Sequence, residues 1–405
     1  MLLNFYDRDT GKGLSNVQGV APAQPWKVSG IRLQSRGVEV RECQLVSMTP
    51  NREILERLWE CGGIRVRRGE LFSEAPGGMP TGFDFPRVEG MLLGLAVGDA
   101  LGNPSESTTP SSRAQCYGEI RDYRDGKGGP SDDTQLAFWT LEQMLADGGF
   151  NPAHVARRFT QGRIFGIGSS VKQFLKNCKS GKPWEECGVH SAGNGALMRI
   201  APVLVPHLRS ATTDVWVDTA LCAMLTHNDS ASIAACLAFI RLLWKLLQRD
   251  STPEPEWWLE NMVSPLRDLE CKDSYEPRSP TLRGFRGALW QLLEQAVMSA
   301  HRNRLSTAEA CNQWHSGAYL LETVPSAIYI LMRHGHDPEE AIIRAVNDTW
   351  DNDTVAAIVG AAVGALHGRH GLPERWIRGL SGRTKEGDEG RIFELLKQAR
   401  QQWWD

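Results

Sequence analysis

The nine cysteines of this 405-residue chain include no CxxC pair, and their number is odd. Both facts argue against a disulfide framework and against a thiolate zinc site; reduced, mostly buried thiols in a cytosol are the simplest reading. A dominant charge of one sign is also missing. The formal net charge is −3, so no global field favours nucleic acid or an anionic membrane. Long apolar runs are few. The strongest, residues 91–101 (broken by Asp99) and 355–366, are too short to span a bilayer. Their glycine and alanine content suits helices packed closely in a core. The start, Met1 to Asp9, has no basic segment followed by an apolar stretch, so no secretory signal is expected. The lack of βαβ alternation argues against a doubly wound sheet, and no convincing fixed-period repeat is present.

What is present changes character near residue 85. Residues 1–85 are rich in turn signals, among them Gly11, Gly13, Pro22, Pro25, Gly30, Gly37 and Pro50. Between these, 26–33 and 38–47 partly alternate apolar and polar residues, as half-buried strands do. Asn51 can cap a helix reaching about Cys61, with Ile54, Leu55, Leu58 and Trp59 on one face. Residues 64–67 read as another short strand, and 74–85, with five glycines and prolines, as a linker. A small α+β unit is therefore expected over 1–85. From residue 88 onward helix signals dominate, over 88–101, 132–147, 152–161, 170–178, 214–225, 231–248, 287–301, 324–333, 338–347, 354–366 and 390–403. The proline- and charge-rich stretch 250–280 reads as a surface excursion.

Two acidic motifs carry the chemistry: Ser131-Asp132-Asp133-Thr134 and Asp351-Asn352-Asp353-Thr354. Each supplies two carboxylates and a hydroxyl at the start of an apolar helical run. Taken singly, each is well explained as a helix N-cap with acidic residues at the positive end of the dipole. Taken together, they would offer only hard oxygen ligands, suited to Mg²⁺ or Mn²⁺. An EF-hand is excluded at Asp351, because the sixth loop position is Ala356 and not glycine. Asp99, in Gly94-Leu95-Ala96-Val97-Gly98-Asp99-Ala100-Leu101-Gly102, interrupts an apolar face and needs partners, whether structural or at a metal. Glu106 follows in a loop placed to reach a neighbouring site. Two small-residue loops, 162–170 and 191–199, could present backbone N–H groups to a diphosphate or simply turn the chain. His227, in Thr226-His227-Asn228-Asp229, precedes a helix and is either structural or functional.

These segments in this order resemble the ADP-ribosylglycohydrolase family, the group that includes dinitrogenase reductase-activating glycohydrolase. The resemblance covers roughly residues 87–370. It implies an all-α core, here residues 86–405, with two Mg²⁺ ions (Mn²⁺ the alternative) and hydrolysis of an ADP-ribosyl bond. By position it implies metal ligation by Ser131, Asp132, Asp133, Asp351, Asp353 and Thr354, and proton transfer by Glu106, Asp132 or Asp133. Contacts to the nucleotide fall to Gly166, Gly168, Ser169, Ser170, Gly193, Asn194, Gly195 and His227. Ser131 stands where threonine is commoner, Asn352 where small residues or threonine are frequent, and Pro104 stiffens the Glu106 loop. No carboxylate is lost, so a live enzyme is expected. Residues 1–85 resemble the N-terminal extension of bacterial immunity proteins that occlude ADP-ribosyltransferase toxins. That resemblance implies a cytoplasmic hydrolase acting on ADP-ribosyl-arginine, with the toxin as a second partner. The alternative is a housekeeping or regulatory hydrolase whose extension is only structural.

Overall fold

The computed structural model describes residues 49–271 and 273–405. These residues belong to a single compact unit that begins at Met48. The segments expected as strands over 26–33 and 38–47 lie outside the described residues. Among the described residues the fold is helical, with seventeen α-helices and no strands. In order they are α1 (Pro50–Glu60), α2 (Pro86–Gly102), α3 (Pro110–Tyr117), α4 (Asp132–Asp147), α5 (Pro152–Phe159), α6 (Ser169–Lys179), α7 (Asp214–Met224), α8 (Ser230–Leu247) and α9 (Pro255–Leu269). There follow α10 (Leu289–Leu292), α11 (Met298–Arg302), α12 (Thr307–Trp314), α13 (Leu320–His334), α14 (Pro338–Asp348), α15 (Asn352–His367), α16 (Glu374–Gly379) and α17 (Arg391–Trp403). A π-helical turn over Leu293–Val297 joins α10 to α11.

The core is built on α2 and α15, which run antiparallel in backbone contact. Glycines recur every fourth residue on the facing side of α2. A Cβ on Gly94 would lie 2.1 Å from the Gly360 carbonyl oxygen, and a Cβ on Gly360 would lie 2.1 Å from that of Gly94. Gly98 meets the Ala356 carbonyl oxygen at 2.1 Å in the same way, and Gly102 meets the Asp353 Cα at 2.4 Å. Only residues without a side chain let the two helices come so close. The contact therefore fixes where the N-terminus of α15, with its acidic motif, sits against the end of α2.

The other long helices wrap this pair. α8 is long and apolar enough to cross a membrane, but 89% of its apolar window is buried inside the fold. It is a core helix, packed on α7, α9 and α15. The excursion expected over 250–280 instead contains α9. Pro255 opens this helix, and Trp258, Met262, Leu266 and Leu269 form a buried stripe against α8 and α13. Prolines at both ends of the segment obscure that spacing.

Residues 49–85 lie against the helical body. α1 rests on α7 and buries Leu55 and Leu58. Thr49, not Asn51, occupies the N-cap position. Asn51 Nδ2 instead donates to Asp218 Oδ1 at 2.7 Å and to the Phe150 carbonyl at 2.9 Å. Residues 64–67 form no strand. Ile64 and Val66 are buried, and the Arg67 N–H reaches the Leu269 carbonyl at the end of α9 at 3.0 Å. The stretch read as a linker is tied down by indole N–H groups: Trp216 donates to the Glu74 carbonyl and Trp244 to that of Gly77, each at 2.8 Å.

Candidate active site

The first acidic motif lies at the N-terminus of α4. Ser131 is the N-cap, and its hydroxyl accepts from the Asp133 N–H. Two further N–H groups at this end are taken by a carboxylate from another helix. Asp99 of α2 accepts from the Ser131 N–H at 2.9 and 3.0 Å, from the Thr134 N–H at 3.0 Å and from the Thr134 hydroxyl at 2.6 Å. Capping is thus done by Ser131 and Asp99, and the side chains of Asp132 and Asp133 are free for other work. Asp133 Oδ2 accepts from the Ser131 hydroxyl at 3.1 Å, while its Oδ1 is buried with no partner among the described residues.

The second motif opens α15. Asp351 holds the N-cap position, yet its side chain makes no cap bond. Its Oδ2 accepts from Asn194 Nδ2 instead. Asp353 Oδ1 accepts from the Thr354 N–H at 2.9 Å. Carboxylate oxygens of Asp99, Asp133 and Asp353 lie within 4.8 Å of one another, as do those of Glu106, Asp351 and Asp353. The two groups share Asp353. Asp132 belongs to neither, although it faces the same cleft beneath Gly166.

Packing this many carboxylates together shifts their protonation. Burial, followed by the charges of neighbouring aspartates, holds Asp133 and Asp353 well above the usual carboxylate range. Burial and then Asp99 push Asp132 up to about 7. Burial raises Asp351 to about 6, against the opposing bond from Asn194. Such a cluster can hold its charge at neutral pH only with compensating positive charge. An unpartnered buried carboxylate oxygen and an all-oxygen donor set are compatible with a hard divalent cation at this site.

The floor described above opens into a cleft of about 440 Å³. Glu106, Asp132, Asp133, Asp351, Asp353 and Thr354 line it, together with Gly166, Gly168, Ser169, Ser170, Gly193, Asn194, Gly195 and His227. Ser131 lies just behind this lining and is buried. Every residue singled out in the sequence therefore gathers at one place.

Local structure explains how the loops are set. Gln135 of α4 holds the glycine-rich turn: its amide donates to the Arg163 carbonyl at 3.1 Å and its oxygen accepts from the Phe165 N–H at 2.8 Å. Gly166 turns there with φ 52, a left-handed conformation that glycine adopts freely. α6 then begins without a side-chain cap on Gly168, leaving backbone N–H groups at its N-terminus. The Ser170 hydroxyl donates to that of Ser191 at 3.0 Å and so ties the two loops together.

Several contributors were not singled out in the sequence. Arg113 of α3 is fully buried. Its guanidinium donates to Ser105 Oγ at 3.0 Å, to the Thr108 carbonyl at 3.0 Å and to the Thr349 carbonyl at 2.8 Å. It thereby joins the Glu106 loop to the turn before Asp351. Asn352 Nδ2 reaches the same Ser105 Oγ at 2.9 Å. On the rim, Arg278 pairs with the buried Glu322 through bonds of 2.8 and 2.6 Å and lies over the Tyr319 ring. Asn352 belongs to the second acidic motif, but no local motif marks Arg113, Arg278 or Glu322, whose partners include residues far along the chain.

Known proteins resemble this chain over most of its described residues. The profile described as ADP-ribosylglycohydrolase matches residues 81–403. An uncharacterised protein of Archaeoglobus fulgidus is 32% identical over 307 residues, covering 72% of this chain and 90% of its own. The ADP-ribosylarginine hydrolase Tri1 of Pseudomonas putida is 25% identical over 305 residues, covering 72% of this chain and 73% of its own. A solved structure described as an ADP-ribosylglycohydrolase-related protein complex superposes with a TM-score of 0.58 at 26% identity, covering 79% of this chain and 97% of that one.

Proposed function

The chain belongs to the ADP-ribosylglycohydrolase family, and from that premise we propose that it is a metal-dependent hydrolase releasing ADP-ribose from modified proteins, with ADP-ribosyl-arginine as the favoured substrate. The observation that carries this reading is the pair of three-carboxylate groups sharing Asp353 on the floor of a cleft beside the uncapped start of α6. In it, Ser131, Asp132, Asp133, Asp351, Asp353 and Thr354 would hold two Mg²⁺ ions, with Mn²⁺ the alternative. Bound there, the cations would polarise the ribose hydroxyls and lower the pKa of a bound water.

The protein's own groups do the rest. The loops at 166–170 and 193–195 bind the diphosphate and ribose through backbone N–H groups. Glu106, raised above the ordinary glutamate range by burial and by Asp99, takes a proton from the attacking water. Water oxygen bonds to the anomeric carbon, the glycosidic bond to the acceptor breaks, and the proton taken up by Glu106 passes to the departing guanidine. Release of ADP-ribose from arginine-modified protein, beside serine-modified protein and with and without chelator, tests the reading. Release from the serine-modified protein alone would overturn the arginine assignment.

A second role is favoured by the extent of the family match, which begins only at residue 81. Residues 1–85 form an extension that binds and occludes an ADP-ribosyltransferase toxin, in a cytoplasmic immunity protein. Since α1 uses its apolar face against α7, the toxin contacts fall to its outward side and to residues 1–48, which include Tyr6 and Trp26, residue types suited to interface anchors. Toxin binding by a protein carrying Asp353→Ala separates occlusion from hydrolysis.

A further inference from the structure

His227 lines the cleft through its Nε2 edge, with its Nδ1 turned into the protein. Nδ1 lies 2.9 Å from the Thr226 hydroxyl. Thr226 is itself fully buried, and its Oγ1 has a second partner, Arg199 Nη2, at 2.8 Å. Arg199 is equally buried. Its Nη2 also donates to the Cys222 carbonyl at 3.1 Å, its Nη1 lies 3.3 Å from the Cys222 sulfur, and its guanidinium sits over the Phe159 ring at 5.0 Å.

The direction of each hydrogen bond follows from what these groups can do. A guanidinium donates and never accepts. Thr226 Oγ1 therefore accepts from Arg199 and still has one hydrogen of its own to place. Among the described residues, His227 Nδ1 is its one other neighbour. Were Nδ1 protonated, it would donate to that same oxygen. The Thr226 hydrogen would then be left without an acceptor where water does not reach, an arrangement folded proteins avoid. With Nδ1 as acceptor, the Thr226 hydrogen has its acceptor and the ring proton lies on Nε2.

The Nε2 edge faces two positions without side chains. A Cβ on Gly195 would lie 2.9 Å from His227 Cε1 and 3.3 Å from Nε2, and a Cβ on Gly193 would lie 3.3 Å from Nε2. Among the described residues Nε2 has no hydrogen-bond partner. We infer that Arg199 and Thr226 are positioning residues that fix His227 as the neutral tautomer protonated on Nε2, so that it presents a permanent N–H donor to an acceptor oxygen of the ligand. The identity of that ligand, ADP-ribose, rests on the function proposed above; the tautomer does not. Burial and the Arg199 charge together hold the ring neutral, lowering its pKa to about 3.

The test uses the full-length protein labelled with ¹⁵N-histidine, the His227 signals being assigned by their loss in His227→Gln. In the ligand-free protein, long-range ¹H–¹⁵N spectra should show Nδ1 unprotonated and Nε2 protonated, unchanged from about pH 6 to pH 8. Thr226→Val removes the hydroxyl at nearly constant shape; it should change that signature and weaken ADP-ribose binding about tenfold in calorimetry. Thr226→Ser should restore both. A wild-type ring protonated on Nδ1, or an unchanged signature in Thr226→Val, would overturn the inference. Wild-type protein that shows the expected tautomer but binds no ADP-ribose would instead sink the proposed function.

Discussion

Arg113→Met puts a number on how firmly the Glu106 loop is held. The guanidinium is fully buried and spends its donors on one side on Ser105 Oγ and the Ser105 and Thr108 carbonyls, and on the other on the Asn347 and Thr349 carbonyls. Burial pulls its pKa down to about 10 in spite of the nearby charges of Asp353 and Asp348. Methionine matches much of the volume and removes the charge, so the cost is that of leaving the acceptors unpaired. Ser105 Oγ keeps its bond from Asn352, but the Thr108 and Thr349 carbonyls lose theirs, at 3.0 and 2.8 Å; about 1–2 kcal/mol for each acceptor stranded gives a loss of about 2–4 kcal/mol. Urea denaturation measures that loss. Turnover should fall more than ADP-ribose affinity, because the loop carrying Glu106 is freed while the 166–170 and 193–195 loops are untouched. Arg113→Lys keeps the charge but not the planar fork and should fall between the two. A loss under about 1 kcal/mol with normal turnover would refute the reasoning, since it would mean that water or relaxation satisfies those carbonyls at little cost.

Other outcomes follow from the same geometry. Gly94→Ala forces a methyl group to 2.1 Å from the Gly360 carbonyl oxygen and should cost about 3 kcal/mol or more, or prevent folding, as read by circular dichroism melts. Glu106→Ala should lower turnover with little change in calorimetric ADP-ribose affinity; unchanged turnover would leave Glu106 an ordinary loop carboxylate. The carboxyls of Asp132 and Asp351 are raised to about 7 and about 6 from an ordinary value of 3.8. Their contribution to stability is therefore full below that ordinary value and is lost as pH rises through the raised ones. Mg²⁺ or Mn²⁺ should offset the loss, so the metal-induced rise in Tm should be larger at about pH 7.5 than at about pH 5. Removing residues 1–48 should leave hydrolysis of free substrate nearly intact and weaken toxin binding strongly, as titration calorimetry would report.

Local signals were readable where chemistry and periodicity coincide. α4 begins and ends where its cap serine and apolar spacing predict, at Asp132 and Asp147. α15 and the glycine face of α2 were equally plain, because close helix packing needs small residues at regular spacing. α9 was hidden by its flanking prolines, although Trp258, Met262 and Leu266 carry a helical period. The segment 64–67 alternates like a strand but buries Ile64 and Val66 without a neighbouring strand to pair with among the described residues. In the site, the two acidic motifs announced themselves through residue type. The groups that orient them were less legible: Asp99 read as a carboxylate in need of partners, without showing which. Asp99 caps a helix whose start is 32 residues away, and Arg113 bonds a carbonyl 236 residues away. A single sequence holds no local trace of such pairings. Arg278 and Glu322 on the rim are invisible for the same reason.

The most direct measurement of the central claim is ADP-ribose release from arginine-modified protein by the wild type and Asp353→Ala side by side, each with Mg²⁺ and after chelation. Asp353 belongs to both carboxylate groups, so its loss should abolish release while far-ultraviolet circular dichroism stays that of the wild type. Chelation should silence the wild type, and added Mg²⁺ or Mn²⁺ should restore it. Undiminished release by a folded Asp353→Ala protein, or by chelated wild type, would contradict the account.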